Sequence, residues 1–541
     1  MSTNKHIDII CLVILILTLL LTGLFVKGEA LGITSTIDGD VGDSQFTTND
    51  LNADWDSTNA TKITLTGDGG SVKGNGAYVY DGDVHILYAG EYVLSGELND
   101  GSVIIEAESN DKIWILLDNV SLHCDDNAAI LVEQAKKVFL TLASGTENSI
   151  SSGAEYAAQA EQAGIDGVIY SRDDLTINGS GFLKVSAEYR HGIVCNDDLV
   201  IVGGGMEITA PQDGIHANDS ARLADVNITI KAGDDGITVS NDDETGYIYV
   251  ESGNISIPSC YEGIEAVDIT IAGGVLDIMP TDDGINANGR GSNSVIRITG
   301  GDITIINETG RDADGLDSNG DIYISGGNLF ISVTSNGGSC AIDYGSENGG
   351  VCEISGGTVI ATGSSFMAEG FDSASEQCFI MYTTSTASAG TTVTLQNAAG
   401  NILLSEVIPC SFSSVVISMP ELQMGETCKI LIGDMEEEII VDNSSSSNGF
   451  GMGGMFGGDM RQDGFFGGKT GGRGSRELPP EQIPNNEGVP NDEGIPNMQP
   501  NFGSQEDFPG PIQNPDCTLI FLGASVLFLL AGIMISLKVK H

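Results

Sequence analysis

A short acidic motif returns along the middle of the chain. It reads "DGVI" at Gly167, "HGIV" at Gly192, "DGIH" at Gly214 and "DGIT" at Gly236, then "EGIE" at Gly263, "DGIN" at Gly284, "DGLD" at Gly315 and "CAID" at Ala341. The steps between copies run from 21 to 31 residues. Repetition at such a period means that each repeat is a unit able to bury its apolar face only against its neighbours. Between the motifs lie short alternating runs such as "VNITI", "VDITI" and "DITII", each reading as a strand with one apolar face. Glycine pairs punctuate them at Gly273-Gly274, Gly300-Gly301, Gly326-Gly327 and Gly356-Gly357. Helical periodicity is nearly absent, and only Ala154 to Gly164 predicts a short helix.

Three short strands and three turns per repeat describe one coil of a parallel β-helix. Leucine-rich repeats have similar periods, but their leucine and asparagine framework is missing here. A β-sandwich would not hold one glycine register through so many cycles. In a coil stack Ile193, Ile215, Ile237, Ile264, Ile285, Leu316 and Ile342 form one inward column. Successive coils lie about 4.8 Å apart, so each branched side chain packs on the next. Asn218, Asn288 and Asn319 recur four residues after the motif glycine and predict a ladder of turn side chains.

The expected fold is all-β: a right-handed parallel β-helix over residues 36–375 and a small β domain over 376–442. Residues 443–516 are rich in Gly, Met and Phe, then in Pro and Asn; this composition buries no core and predicts a disordered stalk. Residues 1–30 read as a signal peptide or an N-terminal anchor, with Gly28 and Ala30 as the small residues before a cleavage point. Residues 518–537 read as a transmembrane helix, and Lys538 and Lys540 after it place the C-terminus inside. The expectation is a cell-surface protein, membrane-anchored through that helix, with its main domain extracellular. Ten cysteines occur without a C-x-x-C, which argues against a thiolate zinc or thioredoxin-type site. Cys410 and Cys428 are spaced to bridge one small domain, or several cysteines stay reduced and buried.

The chain carries 76 acidic against 22 basic residues, a formal net charge of −54. Such a surface repels nucleic acid and anionic lipid. Stacking also brings equivalent motif carboxylates within about 5 Å of each other, where each pair repels by roughly 3 kcal/mol at an effective dielectric near 20. Lysine does not offset this, since Lys231 is the only one between Tyr189 and Cys428. Calcium fits, because it takes six to eight oxygen ligands in flexible geometry. The candidate ligands are Asp234, Asp235, Glu262, Glu265, Asp282 and Asp283, with Asp312, Asp314, Asp317 and Asp343 as a second group and Asp213 with His216 as a further pair. The alternative is a set of solvated turn residues, since Asp and Gly favour turns.

The segments "AGEYVLSGELNDGSVIIEA", "DNVSLHCDDNAAI" and "SRDDLTINGSGFLKVSAEYRHGI", followed by the DGI series, resemble the calcium-dependent carbohydrate-binding proteins of cellulolytic clostridia. The resemblance runs from about Thr61 to Asp442. It implies a right-handed β-helix similar to family 9 pectate lyases, Ca2+ as cofactor, and binding of cellulose or pectic polysaccharide. An acidic glycan would bind through calcium. A neutral one would need stacking aromatics, for which Tyr170, Tyr189, Tyr247, Tyr249, Tyr261, Tyr323 and Tyr344 are candidates in a chain with only two Trp. Two other functions stay open. A lyase would need a base beside the cation, for which Lys231 is the catalytic candidate and Arg222, Arg290 and Arg311 are further ones. A structural adhesin or surface-layer component would use calcium for rigidity alone.

Overall fold

The computed structural model describes residues 45–443 apart from 242, 244, 290–292 and 310–312. The described residues form a β-solenoid. One coil consists of Ile285–Ala287, Val295–Ile298 and Asp302–Asn307, and the next begins at Leu316–Ser318. Each of these strands pairs in parallel with its counterpart one coil away, and three such ladders run along the stack.

The motif strands make the first ladder. Its register sets Ile193 against Ile215, then Ile237, Ile264, Ile285, Leu316 and Ile342 in turn. All seven are at most 1% exposed, so the expected inward column exists. From Ile215 onward the strands are only three residues long, with a branched residue in, a polar residue out and a further residue in, as in Ile215-His216-Ala217. The second ladder includes Ser220–Ala224, Tyr247–Val250, Asp268–Ile271, Val295–Ile298 and Asp321–Ile324. The third includes Val226–Ala232, Gly253–Cys260, Val275–Pro280, Asp302–Asn307 and Asn328–Val333.

The two kinds of glycine serve different ends. At the pairs, Gly274, Gly301, Gly327 and Gly357 have φ of +94°, +96°, +87° and +95°, a region that side chains disfavour. The motif glycines instead permit close approach: a Cβ at Gly236 would lie 2.6 Å from the carbonyl oxygen of Gly263 and 2.8 Å from the Ile257 side chain.

The first coils carry antiparallel hairpins, Thr61–Gly67 with Gly70–Lys73 and Ala77–Tyr80 with Asp83–Ile86. At the other end Thr358–Gly363 pairs antiparallel with Phe412–Ser418, which also pairs with Phe379–Ala387. Both arrangements cover edges that would otherwise offer unpaired backbone to another chain. A separate four-stranded sheet follows from Thr391–Gln396, Ile402–Ile408, Thr427–Ile432 and Met435–Ile440. The expected short helix occurs as Ala158–Gln162, and Thr48–Leu51 adds a helical turn that periodicity did not reveal. The eight described cysteines are all free thiols, seven of them buried, and Cys410 donates to the carbonyls of Asn307 and Ser332.

The expected fold class is corrected in one part. Among the described residues no helix is long and apolar enough to cross a membrane. The membrane helix expected at 518–537 therefore has no counterpart in the described fold, nor do the membrane attachment and surface anchoring that rested on it. The signal or anchor at 1–30, the stalk from 444 onward and the C-terminal apolar segment lie outside the described residues.

Candidate metal centre

The residue before each motif glycine sits in the turn that leads from the third ladder into the first. After Asp166 of the first motif it is, in successive coils, His191 (which already begins its strand), Asp213, Asp235, Glu262, Asp283, Asp314 and, before Ala341, Cys340. Backbone bonds hold these positions in register. The amide of Gly214 donates to the Asp235 carbonyl at 2.9 Å, Gly236 to Glu262 at 2.9 Å, Gly263 to Asp283 at 3.0 Å and Gly284 to Asp314 at 2.9 Å. Side chains extend the pattern. Asp213 Oδ1 accepts from the Asp235 amide at 3.3 Å, Asp235 Oδ1 from Glu262 at 3.3 Å, and Asp283 Oδ1 from Asp314 at 2.6 Å. The outward residue of each motif strand makes a second row: His216, Thr238, Glu265, Asn286, Asp317 and Asp343.

The two rows, with Asp234 and Asp282 from the same turns, converge on five sets among the described residues. These are His191–Asp213–His216, Asp213–Asp234–Asp235, Asp235–Glu262–Glu265, Glu262–Asp282–Asp283 and Asp283–Asp314–Asp317, each with its ligand atoms within 4.8 Å of one another. Asp213, Asp235, Glu262 and Asp283 each belong to two neighbouring sets, so the sets form a continuous ladder rather than isolated clusters. Glu265 is steadied by Thr238 Oγ1 at 2.9 Å and by the side-chain amide of Asn288.

Burial makes these charges costly. Asp213, Asp235, Asp283 and Asp314 are buried. Burial and then the neighbouring acids Glu265 and Glu262 push Asp235 up to about 10. Burial, with Glu265 and Asp283 beside it, pushes Glu262 to about 9. Burial and nearby acids likewise raise Asp283 to about 8, Asp314 to about 9 and Asp317 to about 7. Asp213 differs: burial opposes its charge, but hydrogen bonds and charge from His191 and His216 outweigh this and hold its carboxyl well below the usual range.

The donors of the four inner sets are all carboxylate oxygens, the chemistry a hard divalent cation takes. Asn286 adds a further indication. Its amide donates to Glu262 Oε2 at 2.9 Å, yet its own Oδ1 is buried with no hydrogen-bond partner. A buried amide oxygen lacking a donor is costly unless a cation faces it. The ladder is thus capable of holding divalent cations.

Eight of the ten acids expected as ligands enter these sets: Asp234, Asp235, Glu262, Glu265, Asp282, Asp283, Asp314 and Asp317. Asp343 pairs across from Asp317 on the next strand but joins none of the five. Asp312 lies outside the described residues, as do Arg290 and Arg311. Lys231 is exposed on Val226–Ala232, where the register sets it between Thr209 and Ser259 rather than beside an acid. Arg222 is engaged with Asp198 at 3.1 Å. Two members escaped the sequence reading. His191 occupies in "HGIV" the place Asp213 occupies in "DGIH", a signal visible in the alignment of motifs. Asn286 fills the place Glu265 fills one coil earlier. Of the tyrosines, Tyr261 is exposed beside Glu262, while Tyr170 is buried.

Residues 80–338 match a family described as carbohydrate-binding domain-containing protein. A protein so described from Acetivibrio thermocellus is 32% identical over 177 residues, which are 32% of this chain and 58% of that protein. The chain therefore spans little more than half the length of that curated relative. A solved structure described as a polysaccharide lyase-like protein from C. thermocellum, a gadolinium derivative, is 28% identical, with a TM-score of 0.40 over 49% of this chain and 96% of that one. The solenoid is homologous to a carbohydrate-binding protein. These likenesses do not single out family 9 pectate lyases.

Proposed function

We propose that this solenoid binds an acidic polysaccharide through calcium ions held on its carboxylate ladder. The observation that carries the reading is the ladder itself: buried acids that share ligands from coil to coil, with Asn286 Oδ1 left without a donor among them. Asp235, Glu262, Glu265, Asp282 and Asp283 would hold the ions, Asp283, Asp314 and Asp317 a further one. Calcium supplies positive charge where the fold has almost none, and its high coordination number accepts a sugar carboxylate alongside protein oxygens. Exposed Tyr261 offers a ring face to a sugar next to this row. The carbohydrate-binding description of the matching family and of the Acetivibrio thermocellus relative supports the substrate class, and the acidity of the chain suits an extracellular setting rich in divalent ions.

The test uses the full chain. Calorimetric titration with calcium and retention on immobilised polygalacturonate should both be strong in calcium and lost in chelator. Asp235→Asn with Asp283→Asn should weaken calcium binding by about tenfold or more, since affinity follows ligand charge, and should reduce retention in parallel. Undiminished retention in chelator would sink the proposal.

A second reading is a lyase on the same ladder. The solved relative is described as lyase-like, and Lys231 lies exposed three residues before Asp234. β-Elimination would take the proton next to the uronate carboxyl and expel the glycosidic oxygen, leaving an unsaturated end. Pectate incubated with the calcium-loaded chain would then gain ultraviolet absorbance, and Lys231→Ala would abolish the gain. A binder produces none.

A further inference from the structure

The first set of the ladder differs from the others in chemistry. Two imidazoles and one carboxylate converge at His191, Asp213 and His216. His191 Nδ1 lies 3.1 Å and His216 Nδ1 2.8 Å from the same oxygen, Asp213 Oδ2. The two rings are 5.2 Å apart between centroids. Asp213 is wholly buried, and the two histidine side chains are only 12% and 15% exposed. The carboxylate divides its oxygens: Oδ2 faces the histidines and Oδ1 accepts from the next coil's Asp235 amide.

His191 Nδ1 also sits 3.2 Å from the Asp213 backbone amide, which donates to it. A nitrogen that accepts there has its lone pair, not a proton, on that side. Its one lone pair serves one partner only, so a metal cation bound there would take the place of the amide hydrogen, with Asp213 Oδ2, 3.1 Å from the same nitrogen, as a co-ligand. The separations of about 3 Å suit ligands that share a tetrahedral ion with bonds near 2.0–2.1 Å. Asp166 Oδ2 stands 3.8 Å from His191 Nε2, the outer ring nitrogen, where metal-bound histidines usually find a carboxylate.

We propose that His191, Asp213 and His216 form a binding site for zinc or a similar borderline divalent metal, distinct in preference from the all-oxygen sets that follow it. Imidazole nitrogen selects zinc, copper, nickel and cobalt over calcium. His191 belongs to one coil and Asp213 with His216 to the next, so the ion staples two coils. Three protein ligands leave a fourth position for a solvent or ligand oxygen. The inference stands apart from polysaccharide binding: either holds if the other fails.

The experiment titrates the metal-free full chain with cobalt(II), then zinc(II), in a large excess of calcium. Wild type should take up one equivalent of cobalt with the visible bands of a four-coordinate ion, and zinc should displace it. His216→Gln and His191→Gln should each weaken this binding by more than about tenfold. Asp277→Asn, exposed on Val275–Pro280 and outside the ladder, should leave it unchanged. X-ray absorption at the zinc edge of the unmutated chain should show two imidazole ligands, a readout that does not depend on how the variants fold. Absence of cobalt and zinc uptake in wild type overturns the proposal and leaves the histidines as hydrogen-bonding neighbours of Asp213. Zinc ligation by oxygen alone overturns it equally.

Discussion

Asp50 enters the fold from the N-terminal arm and is fully buried against a distant coil. Lys137 Nζ lies 2.9 Å from its Oδ1, and Thr176 and Thr47 donate to its oxygens at 2.6 and 2.7 Å. Burial opposes the charge, but Lys137 and these hydroxyls prevail and keep the carboxyl below its ordinary value. Lys137→Met would strand the carboxylate, and loss of one partner of a buried pair costs about 3–5 kcal/mol. Chemical denaturation should show that loss, and Asp50→Asn introduced together with Lys137→Met should recover part of it. Nothing in the local sequence around "TNDL" announces this pair, because its two halves meet only when the arm lies along the coils. The ladder acids are the opposite case. Their motif positions made them visible, since parallel stacking sets equal positions side by side. Asp343 shows the limit: it has the right position, across from Asp317, but joins none of the five sets found among the described residues.

Among the elements, the three-residue motif strands depend most on glycine. The motif glycine adjoins the carbonyl of the next coil and an isoleucine of the third ladder. Gly236→Ala would force these apart and cost about 1–3 kcal/mol, the usual range for overpacking. Ile285→Ala removes a fully buried side chain from the inward column and should cost about 2–5 kcal/mol. The two substitutions differ in a second readout. Gly236→Ala shifts the turn that carries Asp235 and should also weaken calcium binding, whereas Ile285→Ala should lower the melting temperature with a smaller effect on affinity. The strand pattern was legible because each ladder repeats one alternation of apolar and polar residues. The antiparallel closure by Phe412–Ser418 was not, since nothing in a strand's composition names its partner.

Over the whole molecule, the stacked acids link stability to both pH and metal. In chelator, Asp317, Asp283, Glu262, Asp314 and Asp235 hold protons up to about 7, 8, 9, 9 and 10 in the folded chain. Unfolded, they release them near 4. A carboxyl raised on folding contributes stability that is complete below its unfolded value and is lost as pH rises through its folded value. The metal-free chain should therefore melt at progressively lower temperature from about pH 5 to about pH 9. Asp50 and Asp213, both depressed on folding, work in the other direction and lose their contribution only as pH falls below about 4. Calcium replaces the protons, so millimolar calcium should flatten the decline and raise the melting temperature most at alkaline pH. Melting curves that ignore calcium at pH 9 would remove the ions from the ladder.

The amino-acid sequence by itself determined the period, the inward isoleucine column and the row of acids, because a parallel stack converts equal sequence positions into neighbours in space. Only the tertiary structure decided which acids share a set, that His191 reaches Asp213, that Asn286 Oδ1 is left without a donor, and that Lys137 meets Asp50. Those contacts depend on how unequal turns aim side chains across coils and on where an arm comes to rest. Neither is written in the spacing of residues along the chain.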